Sequence, residues 1–356
     1  MFFEKFDAVI AFLRKLHCNN YGIWKDTYGI TLIRIGENVL NKHLRKLNKQ
    51  KYAVVISPTI IQKINISSNL SMSCNCIRDL NSILSIGGAL EHNFAKELIF
   101  THHKDKEVHY VAVPVPLSND SFCTNRSSHC LGRIEIPTRE TLYPSEILID
   151  ISLLKNVNQR LNLMGLGEAI GFYYSLMDYC IVRKMLPPKK IMTIIERQVS
   201  KLALHSKRLN KRNWLKKLSM VLLLKCLVMR INRDNQIGAG GDHLLAYAFE
   251  HSQKIYNKYS VKKFTHGEYV FIGSILMASL FPEWQFGFFS LKNLLNFGRT
   301  AGLLKNQVIS LLVKQPKMAL VKLSLQLRPR RPTVLSLLSS KQIENARIKL
   351  NEYLKL

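Results

Sequence analysis

The first 150 residues alternate short β-branched runs with amphipathic stretches, a pattern that few folds accept. Residues 30–36 (ITLIRIG) read as a strand ending on Gly36, followed by a helical pattern over residues 38–47. Residues 52–57 (YAVVIS) read as a second strand, and residues 82–86 as a third that runs into Gly87 and Gly88. A helical run then places Phe94, Leu98 and Ile99 on one face, before a fourth strand over 108–116 closed by Pro114 and Pro116. Strands followed by helices imply a parallel sheet with helices on its faces. RIEIPT (133–138) and EILIDIS (146–152) are the last strand candidates. Beyond Leu153 the periodicity is helical, broken at Pro187–Pro188, Gly238–Gly241, Pro282 and Pro329/Pro332. The expected class is therefore α/β in an amino-terminal domain, residues 1–155, and all-α in a carboxyl-terminal domain, residues 156–356.

Charge narrows the partners. The chain carries 52 Lys+Arg against 24 Asp+Glu, a formal net charge of +28, and its 47% hydrophobic content excludes disorder. Such a surplus points to a phosphorylated substrate, a nucleic acid or an anionic membrane surface. Much of it lies between Arg183 and Lys217, where Trp214 is the single aromatic and no zinc-finger or RNP motif occurs, so nucleic acid is disfavoured. An anionic membrane surface remains an expected partner of this basic helical region. Residues 1–18 hold Glu4 and Asp7 within their apolar stretch and read as an amphipathic helix rather than a signal peptide. VLLLKCLVM (221–229), interrupted by Lys225, and residues 269–281 are too short to span a bilayer. The expected location is cytoplasmic and peripheral to a membrane. The seven cysteines lack paired CxxC spacing and are expected to be reduced thiols. Cys74–Cys76 and the Cys123/Cys130 pair are weak signals for zinc or a disulfide.

Two features carry chemistry. In SILSIGGALEHNFAKELIF, Gly87 and Gly88 follow a strand and open a helix. Backbone N–H groups there can approach a pyrophosphate, and the helix start favours negative charge. A tight βα turn gives the same pattern. Further on, Glu168 in MGLGEAIGF, His243 in GAGGDHLLAYAFE and His266 in THGEYVFIG supply one carboxylate and two imidazoles. That donor set suits a catalytic Zn²⁺ or Fe²⁺ with an open position, although such residues also serve as caps and loop residues.

IGGALEHNFAK resembles the GGGxxxDxxK cofactor turn of the iron-containing alcohol dehydrogenase and dehydroquinate synthase superfamily. Gly87, Gly88 and Lys96 match, while Ala89 replaces the third glycine and Asn93 the aspartate. VPVPLSNDSFCTN resembles that superfamily's VPT-x-x-S-x-D-x-x-x-S loop: Ser118 and Asp120 match, Thr124 stands for serine and Val115 for threonine. Glu168, His243 and His266 fall on its metal-ligand positions, with Gly171 where a lysine is usual and Tyr247 where a second histidine is usual. Residues 147–184 and LRPRRPTVLSLL (327–338) are similar to the glycerol-1-phosphate dehydrogenase branch.

The resemblance implies a Rossmann-like domain followed by a helical one, the dehydroquinate synthase-like fold. It implies NAD or NADP at Gly87, Gly88, Ala89, Asn93, Lys96, Ser118 and Thr124, and one divalent metal, zinc ahead of iron, on Glu168, His243 and His266. Asp120 and Tyr247 would contact the hydroxyls of a phosphorylated substrate, dihydroxyacetone phosphate or glycerol 1-phosphate, in a chain that could form a homo-oligomer. Two other readings stay open. Glu168 and the HGE run at His266–Glu268 look like a sugar-phosphate cyclase of the dehydroquinate synthase kind. The departures at Ala89, Asn93, Val115, Gly171 and Tyr247 fit a catalytically degenerate binding or scaffold protein.

Overall fold

The computed structural model describes residues 2–46, 53–61, 82–102, 108–131, 134–206, 211–256, 264–304, 308–309, 312 and 317–355. Cys74 and Cys76 lie outside them. In chain order the elements begin with α1 (Phe2–Asn19), β1 (Tyr21–Asp26), β2 (Gly29–Gly36), α2 (Val39–Lys46), β3 (Ala53–Ile56), α3 (Pro58–Ile61) and β4 (Ser82–Gly87). They continue with α4 (Ala89–His102), β5 (His109–Pro114), β6 (Arg126–Leu131), β7 (Ile134–Glu140), β8 (Glu146–Asp150) and α5 (Ile151–Lys155). The helices α6 (Gln159–Val182), α7 (Lys189–Leu204), α8 (Arg212–Asn232), α9 (Gly241–Tyr256), α10 (His266–Leu280) and α11 (Leu291–Thr300) follow, then helices Lys317–Leu327 and Ser340–Lys355.

Two compact units emerge. The first comprises residues 1–131, 135–165 and 209–231. Its six-stranded sheet has the order β1-β2-β8-β5-β4-β3, parallel throughout except for β1, which pairs antiparallel to β2 at the edge. β4 (SILSIG) is buried along its whole length, as expected of a parallel strand covered on both faces. Leu40, Val54, Leu84, Ile86, Val111, Val113 and Leu148 form one cluster of the core. Because these strands are parallel, β4, β5, β8 and β2 end at one edge, where ligands of open α/β sheets bind.

β1 was not legible as a strand. Its inward positions are Gly22 and Trp24, and a glycine hides the alternation. The glycine is needed: a Cβ at Gly22 would lie 2.7 Å from the Phe12 ring of α1. The α4 face also differs from expectation. Phe94 is 57% exposed, while His92, Asn93, Ala95, Lys96 and Ile99 are buried. Polar side chains win this face because partners await them there: the His92 Nδ1 lies 2.6 Å from Ser85 Oγ and 3.3 Å from Tyr110 OH.

The second unit comprises residues 132–134, 166–208 and 232–356. α10 is buried from Gly267 to Leu280, and a helix apolar on all sides belongs at the centre of a helical bundle. The units are thus interleaved, where a single division at residue 155 was expected. α8 belongs with the sheet for reasons of pairing. Lys216 donates to Asn20 Oδ1 at 2.6 Å, Lys225 pairs with Asp120 at 2.9 Å, and the Arg230 guanidinium meets Asp26 at 2.7 Å. Cys226 of α8 is also disulfide-bonded to Cys123. This corrects the expectation of reduced thiols at that pair, and Cys123 takes a partner 103 positions away rather than Cys130. No helix among the described residues is long and apolar enough to cross a membrane.

Candidate metal centre and phosphate turn

Glu168, His243 and His266 converge in the helical unit from three helices, α6, α9 and α10. One donor atom from each lies within 4.8 Å of the others. Glu168 is 1% exposed; its Oε2 lies 3.3 Å from His243 Nε2 and its Oε1 3.2 Å from His266 Nε2. A buried carboxylate flanked by two imidazole nitrogens is a donor set that fits a divalent Zn²⁺ or Fe²⁺.

The surroundings fix one of these ligands. His243 Nδ1 lies 2.8 Å from Asp242 Oδ2, so a proton on Nδ1 is held by the carboxylate and the Nε2 lone pair could serve a metal ion. Asp242 is fully buried, and its Oδ1 accepts from Ser175 Oγ at 2.5 Å. Ser175 Oγ in turn accepts from Gly240 N at 2.8 Å, which ties the start of α9 to α6. Asp178, one turn further along α6, accepts from Gly241 N at 2.7 Å and Val334 N at 2.7 Å. Burial raises its pKa to about 6.

Gly171 explains its own departure from the usual lysine. A Cβ there would lie 2.5 Å from Val270 Cγ1 and 2.6 Å from Asp242 Oδ2. α6 therefore approaches α9 and α10 through bare backbone, and the Asp242 carboxylate takes space that a side chain at 171 would need. One turn earlier, a Cβ at Gly167 would meet the Gly267 carbonyl oxygen at 2.1 Å. Tyr247, in place of the usual second histidine, stacks its ring against His266 with centroids 5.9 Å apart. Glu268, which suggested a cyclase, closes a capping box at the start of α10: its Oε2 accepts from Thr265 N at 2.8 Å and from Thr265 Oγ1 at 3.3 Å.

In the sheet unit, the predicted cofactor residues gather where β4 and β5 end. Gly87 is the last residue of β4, Ala89 opens α4, and Val115 N donates to Gly87 O at 2.8 Å, joining the turn to the 115–126 loop. Gly88 N donates to Glu91 Oε2 at 2.8 Å. Lys96 is fully buried and reaches into the loop instead of solvent, donating to Ser121 O at 2.5 Å, Arg126 O at 2.9 Å and Thr124 Oγ1 at 3.5 Å. Burial pushes its pKa down to about 7, with the Asp120 charge opposing the shift. Asn93 is buried on the same helix, and Ser118 is half-buried in the loop, with its Oγ accepting from Asn119 Nδ2 at 3.4 Å. Asp120 pairs with Lys225, which is completely buried. A 710 Å³ cavity in this unit lies elsewhere, lined by His109, Ser145 and Ile30 at the starts of β5, β8 and β2.

Asp242, Ser175, Glu91 and Lys225 were missed in the sequence. An acid next to a histidine in GGDH is a weak signal, and Lys225 read only as an interruption of an apolar run.

Solved structures share this architecture. A probable glycerol dehydrogenase from Sinorhizobium meliloti 1021 matches with a TM-score of 0.64 at 14% identity, covering 90% of this chain and 96% of that one. An iron-containing alcohol dehydrogenase from Thermotoga maritima matches with a TM-score of 0.57 at 17% identity, covering 90% and 97%. The chain shares the fold of these two dehydrogenases. In sequence, the chain is 26% identical over 210 residues to a glycerol-1-phosphate dehydrogenase [NAD(P)+] of Pyrobaculum islandicum, and 25% identical over 202 residues to that of Aeropyrum pernix. These alignments cover 56% and 55% of this chain and 58% and 51% of the relatives, so the chain spans little more than half the length of the curated relatives it matches. No protein-family model matches. The superfamily resemblance read from the motifs is borne out by these relatives and by the shared fold.

Proposed function

We propose that the chain is a metal-dependent, NAD(P)-linked oxidoreductase that interconverts a phosphorylated ketone and its alcohol, as in glycerol-1-phosphate dehydrogenase. The observation that carries this reading is the convergence of Glu168, His243 and His266, with His243 oriented by a buried aspartate. The names of its sequence relatives supply the nicotinamide cofactor and the substrate class.

Glu168, His243 and His266 would hold the metal, zinc ahead of iron. Gly87, Gly88, Ala89 and Asn93 would receive NAD or NADP, with Ser118, Thr124 and Lys96 shaping the loop beside them. When bound, the metal would supply a Lewis acid for the carbonyl oxygen and the nicotinamide a hydride. Asp242 keeps the proton of His243 on Nδ1, so that Nε2 stays a ligand. Asp120, held by Lys225, would accept hydrogen bonds from substrate hydroxyls, and Tyr247 would pack against His266 and offer its hydroxyl to the substrate. Glu268 serves as a helix cap, which removes one of the signals for the cyclase reading.

The positive surplus exceeds what a cofactor and a phosphorylated substrate need, and peripheral attachment to an anionic membrane surface in the cytoplasm is the proposed use of the remainder. Self-association into a homo-oligomer belongs to the same reading.

The test is direct. Zinc-loaded protein is mixed with NADH or NADPH and dihydroxyacetone phosphate, and the cofactor's near-ultraviolet absorbance is followed. Loss of absorbance that depends on the ketone supports the reading, and no loss with either cofactor contradicts it.

A further inference from the structure

We propose that Glu91 occupies the phosphate position of the dinucleotide turn and has to leave it before a cofactor pyrophosphate can bind. The inference rests on the nicotinamide reading above and adds to it a residue of this chain that sets cofactor affinity.

Two glycines at the end of a parallel strand leave a bare concavity, and the first N–H groups of the following helix point into it. Here the chain fills that concavity itself. Glu91, in the first turn of α4, folds back so that its Oε2 accepts the Gly88 N–H at 2.8 Å. The side chain also covers Gly87: a Cβ built there would lie 2.5 Å from Glu91 Oε2 and 2.6 Å from its Cδ and Cγ. The space that a missing side chain at Gly87 opens is therefore taken by the stem and carboxylate of Glu91.

A carboxylate at a helix start is a surrogate for a phosphate, since both are anions that accept backbone N–H bonds and both gain from the helix dipole. The two cannot share the position. They need the same Gly88 N–H, and their like charges repel. The cofactor-competent form is the one in which Glu91 has swung out, and the apparent affinity falls in proportion to its population. A neutral adenosine moiety does not meet this conflict.

Glutamine is the discriminating substitution, because its amide oxygen still accepts from Gly88 N–H and keeps α4 capped while removing the charge. Alanine empties the position. The zinc-loaded wild-type chain, Glu91→Gln and Glu91→Ala are titrated with NADH, with ADP-ribose and with adenosine, and zinc content is measured in each. The expected result is that Glu91→Ala tightens NADH and ADP-ribose by about tenfold or more and Glu91→Gln by less, because its amide still holds the Gly88 N–H, while adenosine is unchanged. Equal or weaker NADH binding in both variants, with the wild type binding NADH, would overturn the role of Glu91 and leave the nicotinamide reading standing. Failure of all three chains to bind NADH at full zinc content would overturn both.

Discussion

Replacing Asp242 by asparagine separates the orienting role of this carboxylate from its packing. The two side chains are nearly isosteric, and Asp242 is fully buried with no room to rearrange. Its Oδ2 faces His243 Nδ1 at 2.8 Å and its Oδ1 faces Ser175 Oγ at 2.5 Å. In Asp242→Asn the amide oxygen can still accept from His243. The amide nitrogen then faces Ser175, whose hydroxyl can rotate and accept from it while its Oγ still receives the Gly240 N–H. Only the buried Ser175 hydroxyl proton loses its acceptor, so the fold should hold with a modest loss of stability. What is lost is charge assistance on the histidine. A hydrogen bond to a charged group contributes about 1.5–3 kcal/mol and a neutral one about 1 kcal/mol, so about 0.5–2 kcal/mol of ligand preorganisation disappears. The equivalent loss in metal affinity is about 2- to 30-fold, overlapping the lower part of the roughly 10- to 100-fold range for such outer partners. The assay is competition for Zn²⁺ against a chromophoric chelator, alongside thermal melts of the metal-free protein. A weaker zinc site is expected, with the melting temperature of the metal-free protein lowered by only a few degrees. Unchanged zinc affinity would refute the argument that Asp242 orients His243.

Three further outcomes follow from the geometry. Gly171→Lys, which restores the lysine usual at that position, should destabilise the fold by about 1–3 kcal/mol by overpacking, because its Cβ meets Val270 and Asp242; denaturant unfolding at an unchanged slope measures it. Lys96 has a folded pKa near 7, below its unfolded value of 10.5, so the fold disfavours its charged form and stability should rise as pH climbs from about 7 towards 10.5. Lys96→Met should flatten that part of the stability profile, and an unchanged slope would rule the burial argument out. Asp120→Ala should cost about 2–3 kcal/mol, discounted for the partial exposure of the carboxylate, because the buried Lys225 loses this ion pair. Adding Lys225→Met should recover most of that loss in a double-mutant cycle.

The sheet was legible where β-branched runs ended on glycine or proline, as at β2, β4 and β5, because both strand propensity and its punctuation are local. β1 was not, since one of its inward positions is Gly22 and the reason for that glycine is the Phe12 ring of α1. The α4 face was misread because hydrophobicity alone put Phe94 inwards, whereas His92 and Lys96 are drawn in by polar partners on β4, on β5 and in the loop after β5. The three proposed ligands were singled out by residue type and by the resemblance of their order and flanks to the superfamily's ligand segments, and the structure brings them together. Asp242 and Gly171 were beyond the sequence as partners, since their relation is a contact between α6 and α9 rather than a spacing. The same holds for α8, whose place with the sheet is set by ion pairs to Asp26 and Asp120.

The central claim is a hydride transfer at a metal-loaded chain, and isotope transfer tests it most directly. Zinc-loaded protein is incubated with dihydroxyacetone phosphate and either face-labelled form of 4-deuterated NADH, and the phosphorylated product is weighed by mass spectrometry. The account predicts glycerol phosphate carrying one deuterium from one of the two labelled cofactors, lost in Glu168→Ala and His243→Ala. Unlabelled product, or none with either cofactor, would contradict it.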